Sequence, residues 1–291
     1  MKNSWAKVDV RYNMALSQVF GPSLLKRIDD PIYEENLKVL LRDSNLYPAR
    51  RKWNFVKGLE MAYSYLKQNY RCEYVYKNEI ANQLLLRFHS DNSATLLKEI
   101  VSDNSIADIV IVNGHTVAYE IKTELDSLDR LSGQLNSYRS LYDKINIVTH
   151  SGAVNIMLKR VESEVGILVL QENGELQILR EAVSCEKNFD PAKAGLTLRQ
   201  SELISAYEKY EGRLPLMGTA FVFEFCYQWF VNLAKEDAHI IFAEALKSRK
   251  LSSSQFELVS RCSPALKMLF LGKELSKKYC NSTIERLGIF V

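Results

Sequence analysis

The sequence lacks the cysteine spacing of a disulfide-stapled or zinc-binding protein. Its five cysteines are odd in number, and no two of them form a C-x-x-C pair. Structural zinc sites need closely spaced ligands, and small secreted domains carry cysteines in even sets. We therefore expect free, buried thiols in a reducing compartment. The positions are Cys72, Cys185, Cys226, Cys262 and Cys280.

Long hydrophobic runs are also missing. The longest apolar stretch, residues 219–234, contains Glu224, Gln228 and Asn232, so it is too short and too polar to span a bilayer. The first twenty residues contain Asp9 and Arg11 and no apolar segment of the kind that signal peptides carry. These features predict a cytoplasmic protein with no membrane partner.

There is little excess of either charge. The 38 Lys and Arg residues nearly balance 35 Asp and Glu residues, for a formal net charge of +3. Such a charge permits nucleic-acid binding without indicating it. The sequence also lacks a G-x-x-x-x-G-K-[ST] loop, which argues against a built-in nucleotide-driven motor.

The residues that are present divide the chain into three regions of different pattern. Residues 1–73 show helical spacing, for example at Leu37, Leu40 and Leu41. Residues 74–187 alternate helical and β-rich runs and predict an α/β core. Residues 188–291 are again helical after a predicted linker at 188–195. The core pattern predicts a helix at 78–88, strands at 96–101, 107–112 and 116–122, a helix at 127–142 and a strand at 145–149, followed by a helix at 154–161 and strands at 166–170 and 175–180.

A predicted hairpin in this core carries unusual charges. Asp108 lies near the start of one apolar strand, an Asn-Gly turn signal follows, and the return strand ends in Glu120-Ile121-Lys122. Side chains alternate along a strand, so Glu120 and Lys122 share one face. Charges in apolar strands are costly unless they are paired or bind a metal. Two carboxylates suit Mg²⁺, and a nearby lysine can orient water or stabilise charge on a phosphate.

The next helix adds a second pattern. Gln134 and Tyr138 are separated by four residues and therefore lie on one helix face. Arg130 precedes Gln134 by four and extends the stripe, although it could instead pair with Asp126.

These motifs together resemble the PD-(D/E)XK nuclease superfamily, in particular its RecB-like branch with a Q-x-x-x-Y motif. The resemblance covers residues 77–149 and implies a restriction-endonuclease-like αβββαβ core with a mixed sheet. It implies that Asp108, Glu120 and the carbonyl of Ile121 bind Mg²⁺ or Mn²⁺, that Lys122 acts in catalysis, and that Gln134 and Tyr138 position substrate phosphate. Glu79 occupies the place of a further acid that family members often carry on the first helix, and the resemblance makes it a further candidate metal ligand.

The hairpin register tests this interpretation. A strict two-residue turn would pair Val112 with His115 and turn Asp108 away from Glu120, because the side-chain period of a strand is two. The proposed site therefore predicts an odd-length loop or a β-bulge here.

The sequence thus predicts a metal-dependent nuclease core flanked by helical regions, with DNA as the expected substrate. RNA cleavage by a toxin-like enzyme on the same fold and a catalytically idle nucleic-acid-binding scaffold are the alternatives. The flanks could bind substrate, a protein partner or a second copy of the chain. One basic run in the first flank is a candidate for phosphate contacts, or else a solvated helix start: Arg50, Arg51 and Lys52.

Overall fold

A mixed six-stranded sheet lies at the centre of the protein. The computed structural model describes residues 8–86 and 93–288. The strands follow one another in the sheet in chain order. The β3–β4 and β4–β5 pairs are parallel, and the other three neighbouring pairs are antiparallel. The strands are β1 (Thr95–Ser102), β2 (Ser105–Val112), β3 (Thr116–Ile121), β4 (Lys144–His150), β5 (Gly166–Leu170) and β6 (Leu176–Arg180).

Helices surround this sheet, and polar residues cap several of them. Asp30 accepts a hydrogen bond from the Ile32 amide at the start of α3, and Asn54 accepts one from the Lys57 amide at the start of α4. The helices before the sheet are α1 (Asn13–Gln18), α2 (Pro22–Lys26), α3 (Pro31–Asp43), α4 (Phe55–Asn69) and α5 (Glu73–Ile80), the last continued by a π-helical turn at Ala81–Leu85. Those between strands are α6 (Leu131–Arg139) and α7 (Val154–Arg160). Those after it are α8 (Pro191–Thr197), α9 (Gln200–Tyr210), α10 (Thr219–Val231), α11 (Lys235–Lys247), α12 (Ser253–Arg261), α13 (Lys267–Leu271) and α14 (Lys277–Arg286).

The two faces of the sheet bury different helical layers. Alternation along β2 sends Ile109 and Ile111 into one core and Val110 and Val112 into the other. The first core also contains residues of the N-terminal helices and of α12–α14. The second contains residues of α6–α11. The predicted C-terminal region therefore contributes to both layers.

The mixed α/β architecture with helical flanks is confirmed, but the predicted linker was wrong. Residues 188–195 include the start of α8, where Asp190 caps the Ala192 amide and where Ala194 and Gly195 are buried. A proline at the first position of a helix is compatible with helix formation, so Pro191 begins α8 instead of marking a loop.

Two predicted helices have different bounds in the structure. The helix predicted at 78–88 begins earlier, at Glu73, and Arg87 and Phe88 lie outside the described residues. The helix predicted at 127–142 is shorter, spanning Leu131–Arg139. A turn in which Asp126 accepts hydrogen bonds from the Thr123 amide and hydroxyl precedes it.

The cysteines and the membrane prediction can be compared directly with the structure. All five cysteines are free thiols, and four of them are buried. Within residues 8–86 and 93–288, no helix combines the length and the apolar character needed to cross a membrane.

Candidate functional site

The turn between β2 and β3 brings the two motif carboxylates together. Val112 pairs with Thr116, so the loop consists of the three residues 113–115. The predicted odd-length loop is therefore confirmed, with Gly114 in a left-handed conformation at φ 73°. Extending the register beyond the Ile109–Tyr119 pair places Asp108 opposite Glu120, on the same face.

Asp108 lies at the end of the hairpin, beside the last residues of β3. Its Oδ2 atom accepts a hydrogen bond of 2.8 Å from the Ile121 amide. Burial, and next the negative charge of Glu120, raise the pKa of Asp108 to about 7. The Ile121 N–H points toward Asp108, and the N–H and C=O of one strand residue point to the same side. The Ile121 carbonyl thus points to the β2 side of β3, the side on which Asp108 lies.

Glu120 is 1 % exposed, and both of its oxygens have protein partners. Lys122 Nζ lies 2.6 Å from Oε1, and the Tyr138 hydroxyl donates to Oε2 at 2.7 Å. Lys122 also donates to Gln134 Oε1 at 2.9 Å. The structure therefore brings Gln134 and Tyr138 of α6 into direct contact with the Glu120–Lys122 pair.

Tyr138 joins the helix to the hairpin as well as to the carboxylate. Its hydroxyl oxygen also lies 2.7 Å from the Ile106 carbonyl oxygen at the start of β2. Burial, followed by the charge of Glu120, raises the pKa of Tyr138 far above its usual range. The phenol consequently stays protonated and acts as a hydrogen-bond donor.

The backbone around Lys122 is held from two sides. Its amide donates to the Val148 carbonyl and its carbonyl accepts from the Thr149 hydroxyl, both at 2.9 Å. Glu124, two residues on, accepts from Arg71 and from Tyr76 of α5. These contacts fix the position from which the Lys122 side chain reaches Glu120.

A second charged group beside Asp108 was missed by the sequence analysis. Lys77 of α5 is 7 % exposed and lies between Glu73 Oε1, at 2.5 Å, and Glu99 Oε1, at 3.1 Å. Glu99 projects from β1 with a φ of 54° and occupies the register position opposite Asp108. Burial lowers the pKa of Lys77, but Glu73, Asp108 and Glu99 outweigh that effect and raise it overall. The i, i+4 spacing of Glu73 and Lys77 was the available signal.

Glu79 was proposed as a further metal ligand, and the structure places it in a different cluster. Its carboxylate accepts from Tyr63 at 2.6 Å and from Gln83 at 2.5 Å, and it pairs with Lys67 at 2.9 Å. Residues 77 and 79 lie on opposite sides of a helix, because two residues rotate the chain by about 200°. The α5 residues near Asp108 are Glu73 and Lys77, while Glu79 is held by α4 and the π-helical turn.

The candidate substrate-binding arginines and lysine are exposed. Arg130 lies at the start of α6, and the alternative partner proposed for it, Asp126, accepts hydrogen bonds from Thr123. The basic run between α3 and α4 is exposed throughout: Arg50, Arg51 and Lys52.

The Trp53 ring, next to this basic run, already contacts other residues of the protein. The indole of Trp53 donates to Glu34 at 2.6 Å and packs against Tyr47, with ring centroids 5.0 Å apart. Trp53 therefore has partners within the protein for both its indole N–H and its ring.

The donor atoms available to a metal are few. In the part of the chain that the structure describes, no group of three or more His, Cys, Asp and Glu side chains could hold an ion. Asp108, Glu120 and the Ile121 carbonyl supply two carboxylates and one neutral oxygen. Mg²⁺ takes one or two carboxylates and keeps several waters, so this donor set fits it better than it fits Zn²⁺.

Comparison with known proteins adds a family. The model of the family described as Bacteriophage P4 protein cII matches residues 66–287. The chain belongs to this family. The match spans α5, the whole sheet and the C-terminal helices, so the candidate site lies within the region that defines it.

Individual matches are more partial. Protein cII of Enterobacteria phage P4 is 34% identical over 124 residues, which cover 41% of this chain and 47% of the phage protein. The chain thus matches about half the length of that curated relative. A solved structure of a protein of unknown function from Silicibacter pomeroyi is 16% identical, with a TM-score of 0.31, over 42% of this chain and 77% of the other.

Proposed function

We propose that this protein is a Mg²⁺- or Mn²⁺-dependent nuclease of the PD-(D/E)XK type, which hydrolyses phosphodiester bonds in DNA. One observation carries the proposal: the three-residue loop after β2 puts Asp108 and Glu120 on one face of the hairpin, beside Lys122. Glu120 and Lys122 are both more than nine-tenths buried. Buried charged side chains that cluster at the end of a sheet are typical of a catalytic centre.

The residues would divide the work as follows. Asp108 and Glu120 would hold the metal with the Ile121 carbonyl, and the metal would supply Lewis acidity toward the phosphate. Lys122 would keep its ammonium near the phosphate oxygens and stabilise charge there. Gln134 positions Lys122 through the 2.9 Å contact, and Tyr138 orients Glu120 through its 2.7 Å hydrogen bond.

The substrate and setting are proposals of the same kind. DNA is preferred over RNA because the resemblance is to the Q-x-x-x-Y branch, whose members act mostly on DNA in repair, recombination and defence. Cytoplasmic action and assembly through the helical flanks, with a second copy or another protein, belong to the same proposal.

One observation favours a second candidate, a catalytically idle nucleic-acid-binding module. Lys122 and Tyr138 engage both oxygens of Glu120, so the carboxylate is already satisfied without a metal. Metal binding would require Lys122 to release Oε1. A protein in which Lys122 never releases Oε1 to a metal would retain the fold without nuclease activity.

The test is a cleavage assay on circular, linear and single-stranded DNA and on RNA, with Mg²⁺, Mn²⁺ or EDTA. We expect metal-dependent cutting by the wild type, lowered by about 100-fold or more in Lys122→Met and in Asp108→Asn. Lys122→Met keeps the stem of the side chain but leaves Glu120 short of a partner. Asp108→Asn removes a charge without that cost and so guards against a folding defect.

Lys159→Met is the matched control, since Lys159 is an exposed lysine on α7. Its cutting should equal that of the wild type. Cutting that survives in both site variants would assign the activity to another place or to a contaminant. Absence of both cutting and Mn²⁺ binding in the wild type would favour the idle module.

A further inference from the structure

A cleft of about 670 Å³ opens along the free edge of the sheet. Its floor is β1, the end strand, which contributes Lys98 and Ile100. One wall comes from α9 and α11 of one helical layer. The other wall comes from Leu271, the last residue of α13 in the opposite layer, and from residues 272–274 after it. The cleft therefore lies where the two layers extend past the sheet edge.

The floor of the cleft is one strand away from the candidate site. Lys98 pairs with Ile109 and Ile100 pairs with Ala107, and these partners flank Asp108 on β2. Adjacent strands are about 4.8 Å apart. A nucleic-acid chain lying in the cleft would accordingly pass within reach of Asp108 across the middle of β1, where Glu99 and Lys77 form their ion pair.

The cleft carries a positive excess. Six basic and three acidic side chains line it, a surplus of three that equals the net charge of the whole chain. Two of the acids are neutralised, because Glu202 pairs with Arg249 at 2.7 Å and Glu244 with Lys209 at 2.6 Å. Three lysines that line the cleft have no ion pair among the described residues: Lys98, Lys250 and Lys273.

The shape and lining favour an extended strand over a duplex. The volume lies within the roughly 300–1,000 Å³ of pockets that enclose their ligands, whereas a duplex lies on a surface and receives protein elements into its grooves. Tyr210, 47% exposed, offers an aromatic ring at the cleft wall, held by a 3.0 Å hydrogen bond from its hydroxyl to Glu244. Single-stranded nucleic acids bind to such combinations of basic groove and exposed ring. An acidic peptide added along β1 would not need the ring.

We propose that this cleft binds single-stranded nucleic acid, with Lys98, Lys250 and Lys273 contacting phosphates and Tyr210 stacking on a base. The path proposed for the bound nucleic acid runs from the cleft over β1 toward Asp108. This path rests on the proposed nuclease function. The binding itself requires no metal.

The test measures binding in EDTA, where no cutting occurs. A fluorescent single strand about a dozen nucleotides long and the matching duplex are titrated by anisotropy at several salt concentrations. The cleft variant combines Lys250→Gln with Lys273→Gln. The matched control combines Lys159→Gln with Arg160→Gln, two exposed basic residues on α7, and equal thermal midpoints establish that both variants are folded.

We expect the cleft variant to lose about tenfold in affinity for the single strand, and its log–log salt slope to fall by about 1.4 for two phosphate contacts. The control should stay within about twofold. Equal losses in both variants, unchanged affinity in the cleft variant, duplex binding as tight as that of the single strand, or no binding by the wild type would each overturn the inference.

The nuclease proposal and the cleft proposal can be rejected independently of each other. Cleft-dependent binding by a wild type that cuts nothing would support the cleft and reject the nuclease. Metal-dependent cutting that Lys250→Gln with Lys273→Gln leaves unchanged, together with unchanged binding, would support the nuclease and reject the cleft.

Discussion

The charged side chains of the site form one connected chain of contacts. Gln134 accepts from Lys122, Lys122 pairs with Glu120, and Glu120 accepts from Tyr138. Removing one member of a buried ion pair leaves an uncompensated charge, at a cost of about 3–5 kcal/mol. Substitutions at Lys122 are therefore expected to affect stability as well as activity, whereas Asp108 takes part in none of these three contacts.

Asp108→Asn should stabilise the metal-free protein at neutral and alkaline pH. The pKa of Asp108 is raised to about 7 by burial and by Glu120, so its charged form is disfavoured in the folded state. A raised carboxyl pKa gives a stability contribution that is present below the ordinary pKa and is lost as pH rises through 7. The advantage of the Asn variant should grow by about 1–3 kcal/mol between pH 5 and pH 8.

Urea unfolding in EDTA at the two pH values measures this. Asp129→Asn is the control, because Asp129 is exposed near the start of α6. An Asn advantage at position 108 that is the same at pH 5 and pH 8 would contradict the assigned environment of the carboxyl group.

Local spacing explains why part of the site was predictable. Glu120 and Lys122 lie two residues apart on a strand, and Gln134 and Tyr138 four apart on a helix, so each pair shares a face whatever surrounds it. Glu79 could not be assigned in this way. Its partners Tyr63 and Lys67 come from α4, and only the packing of α4 against α5 decides which face of α5 reaches Asp108.

At the scale of elements, a second ion pair, buried at Asp143 and partly exposed at His239, joins the sheet to the C-terminal layer. Asp143, before β4, accepts from the Thr116 amide at 2.6 Å and lies 2.5 Å from Nε2 of His239 on α11. The contact with Asp143 raises the pKa of His239. Burial raises the pKa of Asp143, but His239 and Thr116 outweigh it and lower the pKa overall.

His239→Gln should destabilise the protein by about 1–2 kcal/mol near pH 6, where both partners of the wild-type pair are charged. The histidine contribution is complete below the ordinary histidine pKa and is lost as pH rises through the raised value. The aspartate contribution is present above the ordinary aspartate pKa and is lost as pH falls through the lowered value. The loss of unfolding free energy caused by His239→Gln should therefore be smaller at pH 9 than at pH 6.

Free energies of unfolding at pH 6 and pH 9 test this, with His150→Gln at the end of β4 as the control. A penalty at position 239 that stays constant with pH would show that packing of the ring, and not its charge, is what links α11 to Asp143.

At the scale of the whole molecule, the two hydrophobic cores share one sheet. The chain after α11 crosses to the layer that contains the N-terminal helices, where the Pro264 carbonyl accepts from Asn78 at 2.7 Å and Tyr74 donates to the Ala265 carbonyl at 2.8 Å. The C-terminal helices α12–α14 thus complete the core that α1–α5 begin. Among residues 8–86 and 93–288, both layers pack on the same six-stranded sheet.

The two cores should therefore unfold together. Trp53 packs against one core and Trp229 against the other. Two proteins, one retaining only Trp53 and one only Trp229, with the other tryptophans replaced by phenylalanine, should show coincident urea midpoints by fluorescence. Separate midpoints in these two proteins would show that the helical layers unfold as independent units.

The sequence by itself determined the features that depend on neighbours along the chain. The strand and helix order of the core, the E-x-K face and the Q-x-x-x-Y face all follow from periods of two and 3.6 residues. The odd length of the 113–115 loop was deduced from the requirement that Asp108 and Glu120 meet, and the register confirms it.

Tertiary structure alone decided what depends on distant segments. Glu73 and Lys77, and not Glu79, lie near Asp108 because α4 packs against the other side of α5. The C-terminal region contributes helices to both faces of the sheet because both faces must be covered. The cleft along β1 exists only because two layers, far apart in sequence, extend past the same strand. Hydrophobic periodicity shows which side of an element is buried, but it does not show which other element buries it.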